Sequence, residues 1–132
     1  MNLLKYSILG LFLSANLYAL YNSTGPFAPE EIKNEIIGTW QIDLRPTPDS
    51  EAYYKNFLIE KVNGKEFSGE FYDTNFKNGF INTEWENIYI GFMTKDKSST
   101  YFHTATINGN KIEGITFSPE REFTSRWTGK KL

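Results

Sequence analysis

The sequence predicts an all-β protein, an eight-stranded antiparallel up-and-down barrel with a short N-terminal helix. Aromatic residues make up 17% of the 132-residue chain, and aromatic side chains favour the pleated surface of a sheet. From residue 38 onward, short aromatic segments alternate with turn signals roughly every ten residues, the spacing of an antiparallel meander. A sheet of about eight strands can close on itself, which removes its exposed edges.

The N-terminus has the features of an export signal. Residues 1–5 are short and positively charged, and residues 6–19 are apolar and uncharged. That run is short for a membrane span and matches the h-region of a signal peptide. We expect residues 1–19 to be a signal peptide that is removed by cleavage after Ala19, with Ala15 as the other candidate site, leaving no stable membrane span. A retained anchor or a buried helix is the alternative.

The amino-acid composition restricts the cellular compartment and the classes of binding partner. The formal net charge is −2, which argues against nucleic acid as a partner. The absence of cysteine excludes disulfides, thiol chemistry and zinc–thiolate sites. Asn, Lys and Ile are abundant, and this suggests a bacterial protein of the periplasm or the exterior.

Residues 20–37 are predicted to be a lead-in that contains the helix. Pro29 at an early position, followed by Glu30 and Glu31, is typical of a helix start. Ile32, Ile36 and Ile37 are predicted to fall on one face of this helix, which is placed to cover one end of the barrel.

Residues 38–132 are predicted to form the barrel domain. Asn63-Gly64 and Asn78-Gly79 are predicted hairpin turns, because glycine and asparagine tolerate the positive φ that such turns require. The eight predicted strands cover residues 39–44, 54–62, 65–72, 80–83, 86–94, 99–107, 111–117 and 122–128.

The first and last strands carry a candidate barrel-end group. In an up-and-down barrel these strands pair antiparallel, so Trp40 and the Arg126-Trp127 pair are expected at the same end. An arginine guanidinium stacked on an indole would stabilise that end by about 1 kcal/mol or more. We predict a structural role for Gly38, Trp40, Arg126 and Trp127.

Gly38-Thr39-Trp40 on the first strand and Arg126-Trp127 on the last resemble the lipocalin and wider calycin pattern. In lipocalins, a Gly-x-Trp on the first strand packs under an arginine from the last strand. The resemblance implies a barrel with a cavity, and therefore carriage of a small hydrophobic molecule. The alternative is a barrel whose interior is filled by its own aromatic side chains.

The loop over residues 45–54 is the candidate rim of a ligand site. Pro46 and Pro48 stiffen it, and it follows the first strand at the end opposite Trp40. We expect a small apolar or amphipathic ligand to bind there. The alternative is a protein-interaction module without a small ligand, which uses the same loops to bind an envelope protein or to inhibit an enzyme. The candidate contacts are Arg45, Tyr53, Tyr54, Tyr89, Tyr101 and His103.

Nothing in the sequence indicates an enzyme. His103 is the only histidine in the sequence. It lacks the partner residues of a catalytic triad and the further histidines of a typical metal site. No nucleophile elbow or glycine-rich phosphate loop is present. We therefore predict no catalytic residues, no metal and no cofactor.

Overall fold

The computed structural model describes residue 27 and residues 29–132, and these residues form one closed antiparallel barrel. The predicted signal peptide, and residues 20–26 and 28 of the predicted lead-in, lie outside the described residues. The elements are α1 (Pro29–Ile36), β1 (Gly38–Asp43), β2 (Tyr54–Asn63), β3 (Glu66–Phe71), β4 (Thr74–Asn82), β5 (Ile88–Lys95), β6 (Thr100–Asn108), β7 (Lys111–Ser118) and β8 (Phe123–Lys131), with a 3-10 turn (Pro119–Arg121) before β8.

Closure of the sheet confirms the predicted fold class. Each strand pairs antiparallel with the next, and β1 returns to β8. The closing register runs from Trp40 opposite Lys131 to Asp43 opposite Thr128. The observed barrel is compatible with the calycin fold.

One predicted turn is wrong. Asn78 and Gly79 lie inside β4, and the hairpin between β3 and β4 turns at Tyr72 and Asp73, whose φ angles are 49° and 60°. The register shifts between Phe67 and Gly69, so β4 carries one extra residue there. Glycine suits position 79 because a Cβ there would lie 2.3 Å from the Phe67 ring. The hairpin predicted at Asn63-Gly64 is present, but its turn lies one residue later: Asn63 ends β2 and pairs with Glu66, so Gly64, at φ 61°, and Lys65 form the turn.

The middle of the barrel is filled by aromatic rings. Alternate residues of the strands point inward, and a cluster of phenylalanines from β2 to β5 meets there. Phe92 stacks on Phe57 at 5.1 Å and on Phe76 at 4.5 Å between ring centroids. The phenylalanine cluster consists of Phe57, Phe67, Phe71, Phe76 and Phe92.

Helix α1 covers one end of the barrel, as the sequence predicted. Ile36 at its last turn is completely buried, and its carbonyl accepts a hydrogen bond of 2.9 Å from the indole N–H of Trp40. The backbone N–H of Gly109, in the β6–β7 turn, donates to the Glu35 carboxylate at 3.0 Å. The interior of the barrel opens to solvent at the opposite end.

The predicted barrel-end group is correct for Trp40 and wrong for Arg126. The Arg126 side chain is 69% exposed on the outer face and lies 3.6 Å from the Glu113 carboxylate. Lys131 takes the expected place, with its ammonium 5.9 Å from the centroid of the Trp40 ring. The reason is register: β8 continues to Lys131, so the residue opposite Trp40 comes five positions after Arg126.

The other two members of the predicted group also have structural roles. Trp127 points inward but lies further along the barrel from α1, with its ring 5.3 Å from that of Phe71. Gly38 has a φ of 134°, and a Cβ there would approach Lys131 to 3.2 Å. Trp127 therefore belongs to the interior layer beneath the opening rather than to the end covered by α1.

Over the described residues, no helix has the length and apolar character needed to cross a membrane.

Candidate functional site

A cavity of about 260 Å³ opens at the end of the barrel opposite α1. The connections at that end are residues 44–53, 72–73, 96–99 and 119–122. Its floor is formed by inward residues of β3, β5, β6, β7 and β8. The lining residues are Leu44, Tyr53, Phe71, Tyr72, Thr74, Thr94, Asp96, Tyr101, His103, Thr116, Arg121, Phe123, Ser125 and Trp127.

Polar groups of four inward residues form a hydrogen-bonded chain on the cavity floor. The indole N–H of Trp127 donates to the hydroxyl of Thr116 at 3.0 Å. That hydroxyl also shares a hydrogen bond of 2.8 Å with Nδ1 of His103. On the other side of the ring, Nε2 of His103 shares a hydrogen bond of 2.8 Å with the hydroxyl of Thr94.

Burial keeps His103 uncharged at neutral pH. Only 3% of the residue is exposed, and its ring lies 4.4 Å from that of Phe71 and 4.5 Å from that of Phe92. Desolvation lowers the pKa of His103 to about 4, because the charged imidazolium loses its hydration in this aromatic setting. The neutral ring forms one hydrogen bond through each nitrogen, to Thr116 and to Thr94.

Arg121 is a cationic residue of the rim that lines the cavity. The Arg121 guanidinium donates a hydrogen bond of 2.7 Å to the phenol oxygen of Tyr101. Asp96 accepts hydrogen bonds from the hydroxyl and backbone N–H of Ser98 and from the backbone N–H of Ser99. The hydroxyl of Ser98, followed by these backbone donors, lowers the pKa of Asp96. The β5–β6 turn is thereby held in shape beside the cavity.

The loop that follows β1 is anchored at both of its ends. The Arg45 side chain donates to the Asp43 carboxylate at 2.7 Å, and the backbone N–H of Tyr53 donates to the same carboxylate at 3.0 Å. The hydrogen bond from Arg45 is the main reason that the pKa of Asp43 is lowered. The phenol oxygens of Tyr53 and Tyr72 lie 2.9 Å apart, which connects this loop to the β3–β4 turn.

Of the six predicted ligand contacts, the structure brings Tyr53, Tyr101 and His103 to the cavity and leaves three outside it. Arg45 lies in the rim loop but turns back to Asp43. Tyr54 and Tyr89 lie on the outer face of the barrel, exposed to solvent. The correction has a simple reason: inward and outward positions alternate along a strand, so Tyr53 and Tyr54 point in opposite directions.

Several residues of the cavity escaped the sequence analysis. Thr94, Thr116 and Ser125 are small polar residues at inward positions of β5, β7 and β8. Counting alternate positions from Ile88, Ile90 and Phe92 places Thr94 inside, and this is the signal that could have found it. Arg121 gave no such signal, because it lies in the 3-10 turn.

An apolar row runs across the outside of the barrel. Met93, Phe102 and Phe117 are cross-strand neighbours on β5, β6 and β7, and all three are substantially exposed. The Phe102 and Phe117 rings stack at 5.2 Å between centroids. Exposed apolar rows of this kind occur at protein contact surfaces.

Within the part of the chain that the structure describes, no three side chains of His, Asp or Glu converge as metal ligands would. Comparison of the chain with protein-family models, with curated proteins and with solved structures gave no match. The fold and the site together define the class: an eight-stranded antiparallel barrel, closed by a helix at one end and with a cavity open at the other.

Proposed function

We propose that this protein is an exported, lipocalin-like barrel that binds a small apolar or amphipathic molecule in the cavity opposite α1. The observation that carries the proposal is the cavity itself, about 260 Å³ in volume and reached through one end of the barrel. A barrel with a completely filled interior would offer no such space.

The size of the cavity restricts the ligand. Apolar cavities of about 150 Å³ hold benzene, and sites for drug-sized molecules begin at about 300 Å³. The phenylalanine cluster fills the barrel below His103, so a long chain cannot pass through the interior. A compact molecule with one ring or a short branched chain fits best.

The lining supports an amphipathic ligand. Phe71, Trp127, Leu44 and Phe123 supply apolar walls, while the two threonines and His103 supply polar groups on the floor. Apolar walls with a few placed polar groups are typical of sites that bind small molecules.

Export is proposed from the sequence. The charged start and the apolar run within residues 1–19 support a signal peptide, and the periplasm or the exterior of a bacterium as the destination. The mass of the mature protein purified from its native host tests this, since cleavage after Ala19 or Ala15 leaves a different mass from the intact chain.

Native mass spectrometry of the same preparation tests ligand binding. We expect a small molecule to co-purify and to leave on denaturation. Ser125→Phe fills the cavity from β8 and is expected to abolish co-purification. Thr124→Phe is the matched control, because the adjacent residue points to the exposed outer face. A wild-type protein with a ligand-free mass, and no binding of small aromatic probes, would contradict the proposal.

The second candidate function is a protein-interaction or inhibitor module without a small ligand. The outer row of Met93, Phe102 and Phe117 favours it, together with the filled lower half of the barrel. Cross-linking in the native host tests it: Phe102→Thr with Phe117→Thr should remove a specific cross-linked partner, whereas Ser125→Phe should not. Loss of the partner with Ser125→Phe alone would contradict contact through the outer row.

A further inference from the structure

We propose that the cavity selects a small aromatic compound with an uncharged hydrogen-bond acceptor at its buried end, and that the Thr94 hydroxyl recognises this acceptor. The inference rests on the proposed function and names the class of ligand. It comes from counting the protons on the cavity floor.

The floor contains more hydrogen-bonding protons than it uses. Trp127, neutral His103, Thr94 and Thr116 each carry one such proton on their side chains. Only three hydrogen bonds join these four groups. One hydroxyl proton is therefore left over, whichever nitrogen of His103 carries the hydrogen. Over residues 29–132, neither threonine hydroxyl donates to a backbone carbonyl or to any further side chain.

The direction of the chain places the spare proton on Thr94. An indole N–H can only donate, so Thr116 accepts from Trp127. A chain in which every member accepts one hydrogen bond and donates the next is strengthened by mutual polarisation. Thr116 then donates to Nδ1 of His103, and the Nε2–H of His103 donates to Thr94. The Thr94 hydroxyl, which lines the cavity, keeps its own proton for a ligand.

The surroundings of Thr94 define the remaining chemistry. The floor carries no charged group, because His103 is neutral and the charged side chains Asp96 and Arg121 lie in the turns at the rim. A carboxylate or an ammonium group buried on this floor would lack a counter-ion, which is costly. The rings of Phe71 and Trp127 flank the same space and favour a flat aromatic body.

Two compounds of nearly equal shape test the inference. Acetophenone carries a carbonyl oxygen, and α-methylstyrene has a methylene group in its place. We expect wild-type protein to bind acetophenone about tenfold more tightly in calorimetric titrations, as one net hydrogen bond implies. Equal affinities, or tighter binding of α-methylstyrene, would overturn the inference but leave the proposed function intact. Failure of both compounds to bind would also overturn the inference, and it would overturn the proposed function only if the protein from its native host carries no ligand in native mass spectrometry.

Substitutions locate the preference. Thr94→Val should bring acetophenone to the affinity of the hydrocarbon, and Thr94→Ser, which keeps a hydroxyl, should retain the preference. Thr104→Val is the control, since this threonine lies on the outer face of β6. A preference that survives Thr94→Val in a folded variant excludes Thr94 as the donor.

The tautomer of His103 gives a test that needs no variant. Nitrogen NMR shifts of the His103 ring in wild-type protein should show the hydrogen on Nε2. A hydrogen on Nδ1 would reverse the chain, place the spare proton on Thr116 and overturn the assignment to Thr94.

Discussion

The ammonium group of Lys131 lies 5.9 Å from the centroid of the Trp40 ring, and the two residues are register partners where β1 meets β8. The same ammonium donates to the carbonyls of Asn34 at 2.8 Å and Glu35 at 3.0 Å. These carbonyls belong to the last turn of α1, where a positive charge is favourable. One side chain thus joins the first strand, the last strand and the helix that covers the barrel.

Lys131→Met is therefore expected to destabilise the protein. The variant keeps an apolar stem but loses the ammonium, so the two helix carbonyls and the indole lose their cation. We expect the free energy of unfolding in urea to fall by about 1–2 kcal/mol. Lys130→Met is the matched control, because its exposed side chain makes none of these contacts. Equal effects of the two substitutions would contradict the role of Lys131.

Arg126→Met is expected to change stability little. The Arg126 side chain is 69% exposed, and an exposed ion pair such as that with Glu113 contributes little to stability. We expect the free energy of unfolding to change by less than about 0.5 kcal/mol. A loss as large as that of Lys131→Met would restore Arg126 as the residue that stabilises the barrel end.

Gly114→Ala is expected to disturb the wall of the cavity. A Cβ at position 114 would lie 2.2 Å from the Trp127 ring, so the indole must move. Overpacking of this kind costs about 1–3 kcal/mol, and we expect a matching loss in the free energy of unfolding and a changed Trp127 indole resonance. Gly91→Ala is the control, since its nearest neighbour is a backbone oxygen 3.9 Å away. Similar losses for both variants would contradict the close contact.

The sequence predicted the architecture because the architecture depends on local patterns. Alternation puts Phe67 and Phe71 on one face of β3, and Ile88, Ile90 and Phe92 on one face of β5. All five of these residues are buried. The strand count followed from turn spacing in the same way. The turn at Tyr72 and Asp73 was missed because neither residue is glycine, and Asn78-Gly79 imitated a turn while forming a bulge.

The site was harder to predict because it depends on relations between strands. The pairing of His103 with Thr94 and Thr116 requires the register of β5, β6 and β7, which a single sequence does not supply. Likewise, predicting whether Arg126 or Lys131 packs against Trp40 requires knowledge of the residue at which β8 ends. A shift by one residue turns an inward side chain outward, so Tyr54 was grouped with Tyr53 although the two face different surroundings.

His103 is expected to make the protein less stable in mild acid. Its pKa is lowered to about 4 in the folded protein from the ordinary value of 6.5, so the unfolded chain binds the proton first. The stability is fully present above pH 6.5, declines as the pH falls from 6.5 to 4, and loses nothing further from this group below 4. The largest loss for this shift is about 3 kcal/mol.

Urea unfolding at a series of pH values measures this effect. His103→Gln lacks the titrating ring, so the wild-type curve minus the variant curve isolates the contribution of His103 from that of the carboxylates. A proton NMR titration of the His103 ring supplies the folded-state pKa directly. A midpoint near 6.5, or parallel curves for the two proteins, would contradict an uncharged and desolvated imidazole.

Thr116→Val is expected to weaken the cavity floor more than any change to a threonine on the outer face. Valine keeps the shape of the side chain, but the Trp127 N–H loses its acceptor and Nδ1 of His103 loses its partner. A buried donor without a partner costs about 1–3 kcal/mol, and we expect that loss in the free energy of unfolding. The Trp127 indole proton should shift upfield in the NMR spectrum, because its hydrogen bond is broken. Thr104→Val, on the outer face of β6, should leave both quantities unchanged. An unshifted indole proton in Thr116→Val would mean that Thr116 does not accept from Trp127, and the chain of donors that ends at Thr94 would then have no fixed direction.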